Sequence, residues 1–248
     1  LHNNRHSFPT RRSSDLRAFD PEHPTLSVSE LARRVDLPKS TVHRLASEMT
    51  RLGLLESTAR GLRLGMRLFE LGEMAPRSRS VREAALPYME DLRLAAGATV
   101  HLAVLEGVDV VYVEILRAKT GPRLPSRVGG RLPAHATGVG KAIMAFSDPA
   151  VAQTRIEAGL PALTRHTLVM PGALRNALSS ARRDGVAYDH EESGYGIYCA
   201  AAPIFGPGGL PVAALSVTGT THRLDLPRLA PAVRTAAMAI SRRLHDSG

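Results

Sequence analysis

The stretch LSVSELARRVDLPKSTVHRLASEMTRLGLLE, residues 26–56, constrains the fold more than any other part of the chain. Ser27 and Glu30 stand three apart, the spacing at which each side chain satisfies the other's backbone donor at a helix start. Val28, Leu31, Ala32 and Val35 then recur at helical spacing. Asp36 and Leu37 break the pattern, and Pro38 suits a first helical position because its missing N–H costs nothing there. A second helix follows with Val42, Leu45, Ala46, Met49 and Leu52 on one face and Ser40, Arg44, Ser47 and Arg51 on the other. Gly53 closes it, as glycine does just past a helix end. Two helices joined by about three residues predict a helix-turn-helix.

The next segment, LLESTARGLRLG (54–65), reads as strand, tight turn at Ala59-Arg60-Gly61, and strand. A hairpin at this place is a wing, with Arg60 at its tip and Arg63 on its return strand set to meet phosphates. The start of the second helix carries Lys39, Ser40, Thr41, His43 and Arg44. A helix in the major groove reaches base edges with its N-terminal residues, while hydroxyls, Lys/Arg and helix N-termini hold phosphates. Ser40 and Thr41 are short enough for close approach. Arg44 can fork onto guanine, a contact worth ~1–3 kcal/mol of discrimination. His43 or Lys39 can reach base or backbone, with Ser47 and Arg51 further along the same face. A charged stripe is more often only a solvated face. The capped helix before it, the short turn and the hairpin after it favour double-stranded DNA.

Charge agrees. The net charge is +9, and residues 1–80 hold 14 Lys/Arg against 9 Asp/Glu, so the N-terminal third is the more basic per residue. That suits a polyanionic partner. A single cysteine, Cys199, forbids an intrachain disulfide and fits a reducing cytoplasm. No apolar run of about 18 residues predicts a membrane span. Residues 1–15 lack the apolar core of a signal peptide. They read either as foreign, adapter-like sequence or as a basic disordered arm.

After MRLFELGEMA, a short amphipathic helix, PRSRS (76–80) reads as a linker. A second domain is expected over 81–248. VREAALPYMEDLRLAAG predicts a helix with a kink or late start at Pro87. TVHLAVLEG and VVYVEILRA predict a hairpin. TGVGKAIMAF, DPAVAQTRIEAGL and GALRNALSSARRDG predict helices. VAYDHEE, YCAAAPIF and VAALSVTG predict strands, and a terminal amphipathic helix starts at Asp225. Helices flanking a mainly antiparallel sheet make an α+β domain.

Within it, HATGVGKA fails as a phosphate loop: His135 and Ala142 stand where glycine and a hydroxyl residue are required. Gly138, Gly140 and Lys141 fit better at the start of a helix whose N–H groups can hold a carboxylate. His135, near Lys141, is either a satisfied structural group or a contact for an anionic ligand. In YDHEE, Asp189, His190 and Glu191 cannot converge on a metal, because adjacent strand residues face opposite ways. No metal and no cofactor is expected. Cys199 has no base beside it in the motifs and is no convincing nucleophile. GxSxG, HExxH and CxxC are absent from the sequence, so no hydrolase, zincin or redox site is expected.

The run LSVSELARRVDLPKSTVHRLASEMTRLGLLE with GLRLGMRLFELG resembles the winged helix-turn-helix of IclR-type bacterial transcriptional regulators. GRLPAHATGVGKAIMA and GVAYDHEESGYGIYCAAAPIFGPGGLPVAALSVTG resemble that family's effector-binding domain. The resemblance spans roughly residues 16–245. It implies an α+β fold: a winged helix-turn-helix over 16–75, the linker 76–80, and a GAF-like α+β effector-binding domain over 81–248. It implies a small organic acid as effector, with Leu124, Leu132, Gly138, Val139, Asp189, Ile197 and Cys199 in its pocket, to which His135 is added from its own position. It also implies a homodimer or homotetramer on a pseudo-palindromic operator. The family has a full helix ahead of RAFDPEHP. Here Leu16 to Phe19 stand in its place, and that helix would complete the DNA-binding core and part of the dimer contact. Two other readings stay open on the sequence alone: an enzyme acting on a small acid in the C-terminal domain, and a non-specific DNA-binding protein.

Overall fold

The computed structural model describes residues 16–74, 76–119, 124, 126–220 and 225–246. The adapter-like or basic stretch 1–15 lies outside the described residues. The chain divides into two compact units between Pro76 and Arg77.

The first unit contains β1 (Thr25–Leu26), α1 (Val28–Val35), α2 (Lys39–Arg51), β2 (Leu55–Thr58), β3 (Gly61–Leu64) and α3 (Met66–Glu73). The Ser27/Glu30 capping box opens α1. Glu30 N donates to Ser27 Oγ at 3.2 Å, and Ser27 N donates to Glu30 Oε2 at 2.8 Å. Pro38 sits at the N-cap of α2, one place earlier than the sequence suggested, because its extended ψ of 138° precedes the first helical residue. α2 ends in paired closing bonds: Gly53 N donates to Thr50 O and Leu54 N to Met49 O. That pattern needs a left-handed residue, which Gly53 supplies at φ 73°. The strands form an antiparallel sheet in the order β1-β3-β2. Leu26, Leu31, Val42 and Leu55, each at most 2% exposed, centre the core. Phe19 is buried among them, and Arg34 holds the preceding turn by donating to Ala18 O and Asp20 Oδ2. The amphipathic α3 has no buried residue.

The second unit contains α4 (Pro76–Ala96), β4 (Thr99–Glu106), β5 (Asp109–Leu116), β6 (Arg131–Pro133), a 3₁₀ turn (Ala134–Ala136), α5 (Gly138–Phe146), α6 (Pro149–Glu157), α7 (Pro171–Asp184), β7 (Ala187–His190), β8 (Ile197–Phe205), β9 (Pro211–Thr220) and α8 (Leu226–Asp246). Residues 76–80, read as a linker, form the first turn of α4. That helix runs through Pro87 rather than starting late. The six strands make one antiparallel sheet, ordered β6-β5-β4-β9-β8-β7.

The period-two alternation of strands gives the sheet two different faces. Val100, Leu102, Leu215 and Val217 pack against Met89 of α4 and Val233, Ala237 and Ile240 of α8. Ala103, Tyr112, Ala187, Cys199, Ala201 and Ala214 face α5, α6 and α7, where Ile143, Ala152 and Leu174 close the layer. The first face is mainly apolar, with Glu114 beside Leu102 held in an ion pair by Arg82 of α4. The second also carries His101, Ser216 and Thr218, all buried, and that difference locates the cavity described next.

Candidate functional site

Two separate surfaces carry the residues singled out by the sequence. In the first unit, the outer side of α2 leaves Lys39, Ser40, His43, Arg44, Ser47 and Arg51 exposed and Thr41 half-buried, while Val42, Ala46 and Met49 go into the core. Pro38, at the N-cap of α2, makes no side-chain cap bond, so among the described residues the first backbone N–H groups of α2 are unclaimed by a cap. Arg60 and Arg63 are exposed on the hairpin.

The cations differ in how free they are. Arg51 pairs with Glu48 at 2.7 Å, and Arg63 with Glu56 at 2.7 Å. Glu56 also accepts from Met66 N, at 3.2 Å. Lys39, Arg44 and Arg60 have no ion pair among the described residues. Ser47 spends its hydroxyl proton on His43 O, at 2.8 Å.

In the second unit a cavity of about 200 Å³ lies over the α5 side of the sheet. Strand register sets out its floor. Asp189, Cys199 and Thr218 are paired neighbours across β7, β8 and β9, and the next row pairs Ala201, Ser216 and His101 across β8, β9 and β4. The N-terminus of α5, at Thr137, Gly138 and Val139, forms one wall. Thr137 caps it by accepting from Gly140 N at 3.0 Å. This end can come down onto β8 only because position 138 is glycine: a β-carbon there would stand 2.8 Å from the Cys199 sulfur. Leu124, Ser126, Arg127 and Gly130–Leu132 complete the enclosure. Arg117 fastens part of it by donating to Leu124 O and, at 2.6 Å, to Ser126 O.

Burial dominates the electrostatics of the floor. Asp189, 2% exposed, accepts from Glu192 N at 2.7 Å and Ser193 N at 3.3 Å on Oδ1, and from Ser193 Oγ at 2.5 Å on Oδ2. Desolvation outweighs these bonds and lifts its carboxyl to about 6. Burial pushes the Cys199 thiol up to about 12, which leaves it a neutral wall rather than a nucleophile. The Tyr112 phenol is likewise driven upward by burial and stays a donor. Burial, helped by the Arg117 charge, pulls His101 down to about 3, so its ring is neutral.

Seven of the eight residues assigned to the pocket from the sequence line this cavity: Leu124, Leu132, Gly138, Val139, Asp189, Ile197 and Cys199. His135 does not. The 3₁₀ turn ahead of α5 carries it away from the cavity; it is fully buried, with Nε2 set 3.1 Å from Pro161 O. Lys141 is no anion contact either. It is 3% exposed and bonded to Glu192 Oε1. Asp189 and His190 face opposite ways, the first buried and the second exposed. No group of three metal-ligating side chains occurs among the described residues. Sequence reasoning missed His101, Tyr112, Ser126, Thr137, Ser193, Ser216 and Thr218. A signal existed for some: in TVHLAV and LSVTG the polar residues recur on one face of otherwise apolar strands.

A family model described as the C-terminal region of the bacterial transcriptional regulator IclR matches residues 75–242, and the IclR helix-turn-helix domain matches 16–59. The chain belongs to the IclR family. Similar IclR-family proteins include the HTH-type transcriptional regulator XynR of Escherichia coli (strain K12), 32% identical, with 92% of this chain and 93% of that protein covered. The transcriptional repressor IclR of the same organism is 33% identical, covering 81% of this chain and 75% of that protein. Among solved structures, an IclR homolog from Microbacterium hydrocarbonoxydans complexed with 4-hydroxybenzoate matches with a TM-score of 0.86 and 33% identity, over 96% of this chain and 99% of that one. The IclR family and these relatives are transcriptional regulators, not enzymes, and this member carries a helix-turn-helix DNA-binding domain on a mixed α+β fold. Among the described residues, no helix is long and apolar enough to cross a membrane.

Proposed function

We propose that this IclR-family regulator binds an operator through α2 and its wing, and that a small organic acid held in the cavity of the second unit changes that binding. The observation that carries the reading is the cavity itself. It is closed by the N-terminus of α5, whose N–H groups and dipole favour a carboxylate. Arg127 and Arg131 in its wall raise the local concentration of anions. Its size suits a small acid, and the solved relative's complex with 4-hydroxybenzoate is consistent with that class.

In this reading Lys39, Ser40, Thr41, His43 and Arg44 meet base edges and phosphates, and Ser47, Arg51, Arg60 and Arg63 line the backbone contact. The protein works as a homodimer or homotetramer in the cytoplasm, on half-sites spaced by whole helical turns. The acid binds two quaternary arrangements with different affinity, a coupling of ~1–3 kcal/mol.

The test is fluorescence anisotropy of the full chain on the duplex upstream of its own gene, with and without a panel of carboxylates. Preference for that duplex over scrambled duplex, shifted by an acid, supports the reading. Equal affinity for both duplexes, unmoved by every acid, overturns it.

A further inference from the structure

Glu56 on β2 faces Arg63 on β3, its register partner across the hairpin. One carboxylate oxygen, Oε2, accepts from Arg63 Nε at 2.8 Å and lies 2.7 Å from Arg63 Nη2. The other, Oε1, accepts from Met66 N at 3.2 Å. Met66 is the first residue of α3, and Gly65 at the N-cap has no side chain to claim an amide there. Glu56 therefore does for α3 what a capping residue does, but from a neighbouring strand. Arg63, and after it the Met66 amide, holds the Glu56 carboxyl below the usual carboxylate range, so it is charged at neutral pH.

α3 has no buried residue, so packing within the first unit does little to hold its first turn. The backbone just ahead of it is fixed. Gly65 N donates to Leu54 O at 2.9 Å, and a β-carbon on Gly65 would fall on Gly53 O, just past the end of α2. Beyond that anchor, the Glu56 carboxylate meets the first amide of the helix.

Two partners thus draw on one carboxylate. The guanidinium on Oε2 offsets much of its charge, and a helix N-terminus is stabilised by a full negative charge beside it. Arg63 is exposed on the wing, where a duplex phosphate can take it. Moving Arg63 from Glu56 to a phosphate leaves the carboxylate wholly to α3. By reciprocity, whatever orders the first turn of α3 favours release of Arg63 to DNA by the same factor. Along the chain, α3 lies between the wing and α4 of the second unit.

We propose that Glu56 is a positioning residue for DNA binding, whose carboxylate is contested by the wing arginine and the first turn of α3, so that contact of Arg63 with phosphate tightens α3. The inference rests on the reading of α2 and its wing as the operator contact, and goes beyond it by joining the wing to the helix that follows.

The experiment is hydrogen–deuterium exchange of the full chain, read by mass spectrometry over residues 66–69, free and saturated with a mixed-sequence duplex at low salt. Phosphate contacts alone give binding under those conditions, so no operator is needed. In the unmodified chain the duplex should slow exchange there about two- to fivefold, the range set by a charge at a helix N-terminus. Arg63→Gln should slow it by about the same factor with no duplex present, and the duplex should add nothing further. Glu56→Ala should speed it in the free chain and abolish the response to duplex. A merely structural ion pair predicts the opposite for Arg63→Gln, because a loosened hairpin would speed exchange. Exchange unmoved by duplex in the unmodified chain, or equal or faster exchange in free Arg63→Gln, overturns the proposal while the operator reading stands. Anisotropy on the same samples separates the two: failure of the unmodified chain to bind any duplex overturns both.

Discussion

Lys141 Nζ lies 2.5 Å from Glu192 Oε1, and both side chains are buried. The pair ties α5, whose first turn walls the cavity, to the loop that carries Ser193 and anchors Asp189. The same loop is held from the other side, where Thr164 and Thr167 donate to Glu191 O and Glu192 O. Removing one charge leaves the other buried without its partner. Lys141→Met is expected to cost about 3–5 kcal/mol, and adding Glu192→Gln to it should recover much of that loss. Urea unfolding of the single and double variants, followed by circular dichroism, checks both outcomes.

Gly138 marks the point where α5 touches the sheet. In Gly138→Ala the new methyl would meet the Cys199 sulfur at 2.8 Å and the Ala201 β-carbon at 3.3 Å. The helix start must lift or the sulfur must turn into the cavity. We expect a stability loss of about 1–3 kcal/mol from overpacking, and weaker acid binding with operator affinity unchanged in the absence of acid. Thermal shift with and without the acid, beside an anisotropy titration, separates the two effects.

Opposite pH dependences meet in the cavity floor. The Asp189 carboxyl is raised from 3.8 to about 6 in the folded chain. Between those values the native state holds a proton that the unfolded chain has lost, so stability falls as pH rises through that window. His101 is lowered from 6.5 to about 3. There the unfolded chain holds the extra proton, and stability climbs with pH over that range. The two partly cancel in the unmodified protein. Asp189→Asn should uncover the rise due to His101, so that the variant gains on the parent steadily from about pH 4 to pH 6. Denaturation midpoints across that range measure the difference. A gap between the two proteins that is flat with pH would show that Asp189 is ionised throughout.

On the DNA side, Arg44 and Arg60 should behave differently. Arg44→Ala should lower discrimination between operator and scrambled duplex by about 1–3 kcal/mol. Arg60→Ala should weaken both duplexes alike and reduce the salt slope by about one. Glu56→Gln releases Arg63 from its 2.7 Å ion pair and removes a negative charge from the wing, so it should tighten binding to every duplex. Anisotropy titrations at several salt concentrations report all three.

Local order in this chain was written in local sequence. The Ser27/Glu30 spacing, the apolar stripe Val42–Ala46–Met49 and Gly53 at its left-handed position each act within a few residues, so α1, α2 and the turn between them could be read directly. The antiparallel strands of the second unit were legible for the same reason, through alternation and turn residues. β1 and β6 were not: two or three residues long, they are strands only because β3 and β5 pair with them.

Pocket membership is a different kind of fact. Asp189, Cys199, Thr218 and His101 come from four strands, and their meeting depends on register and on which face the sheet turns toward α5. His135, Gly138 and Lys141 show the limit of sequence proximity. They stand within seven residues, yet only Gly138 reaches the cavity, because the 3₁₀ turn faces one side chain toward Pro161 and the helix faces another toward Glu192. The sequence alone determined most of the helices, turns and longer strands and that a basic helix start would be exposed. Only the tertiary structure decided which buried polar groups share one enclosed space, since that depends on long-range pairing between strands distant in the chain.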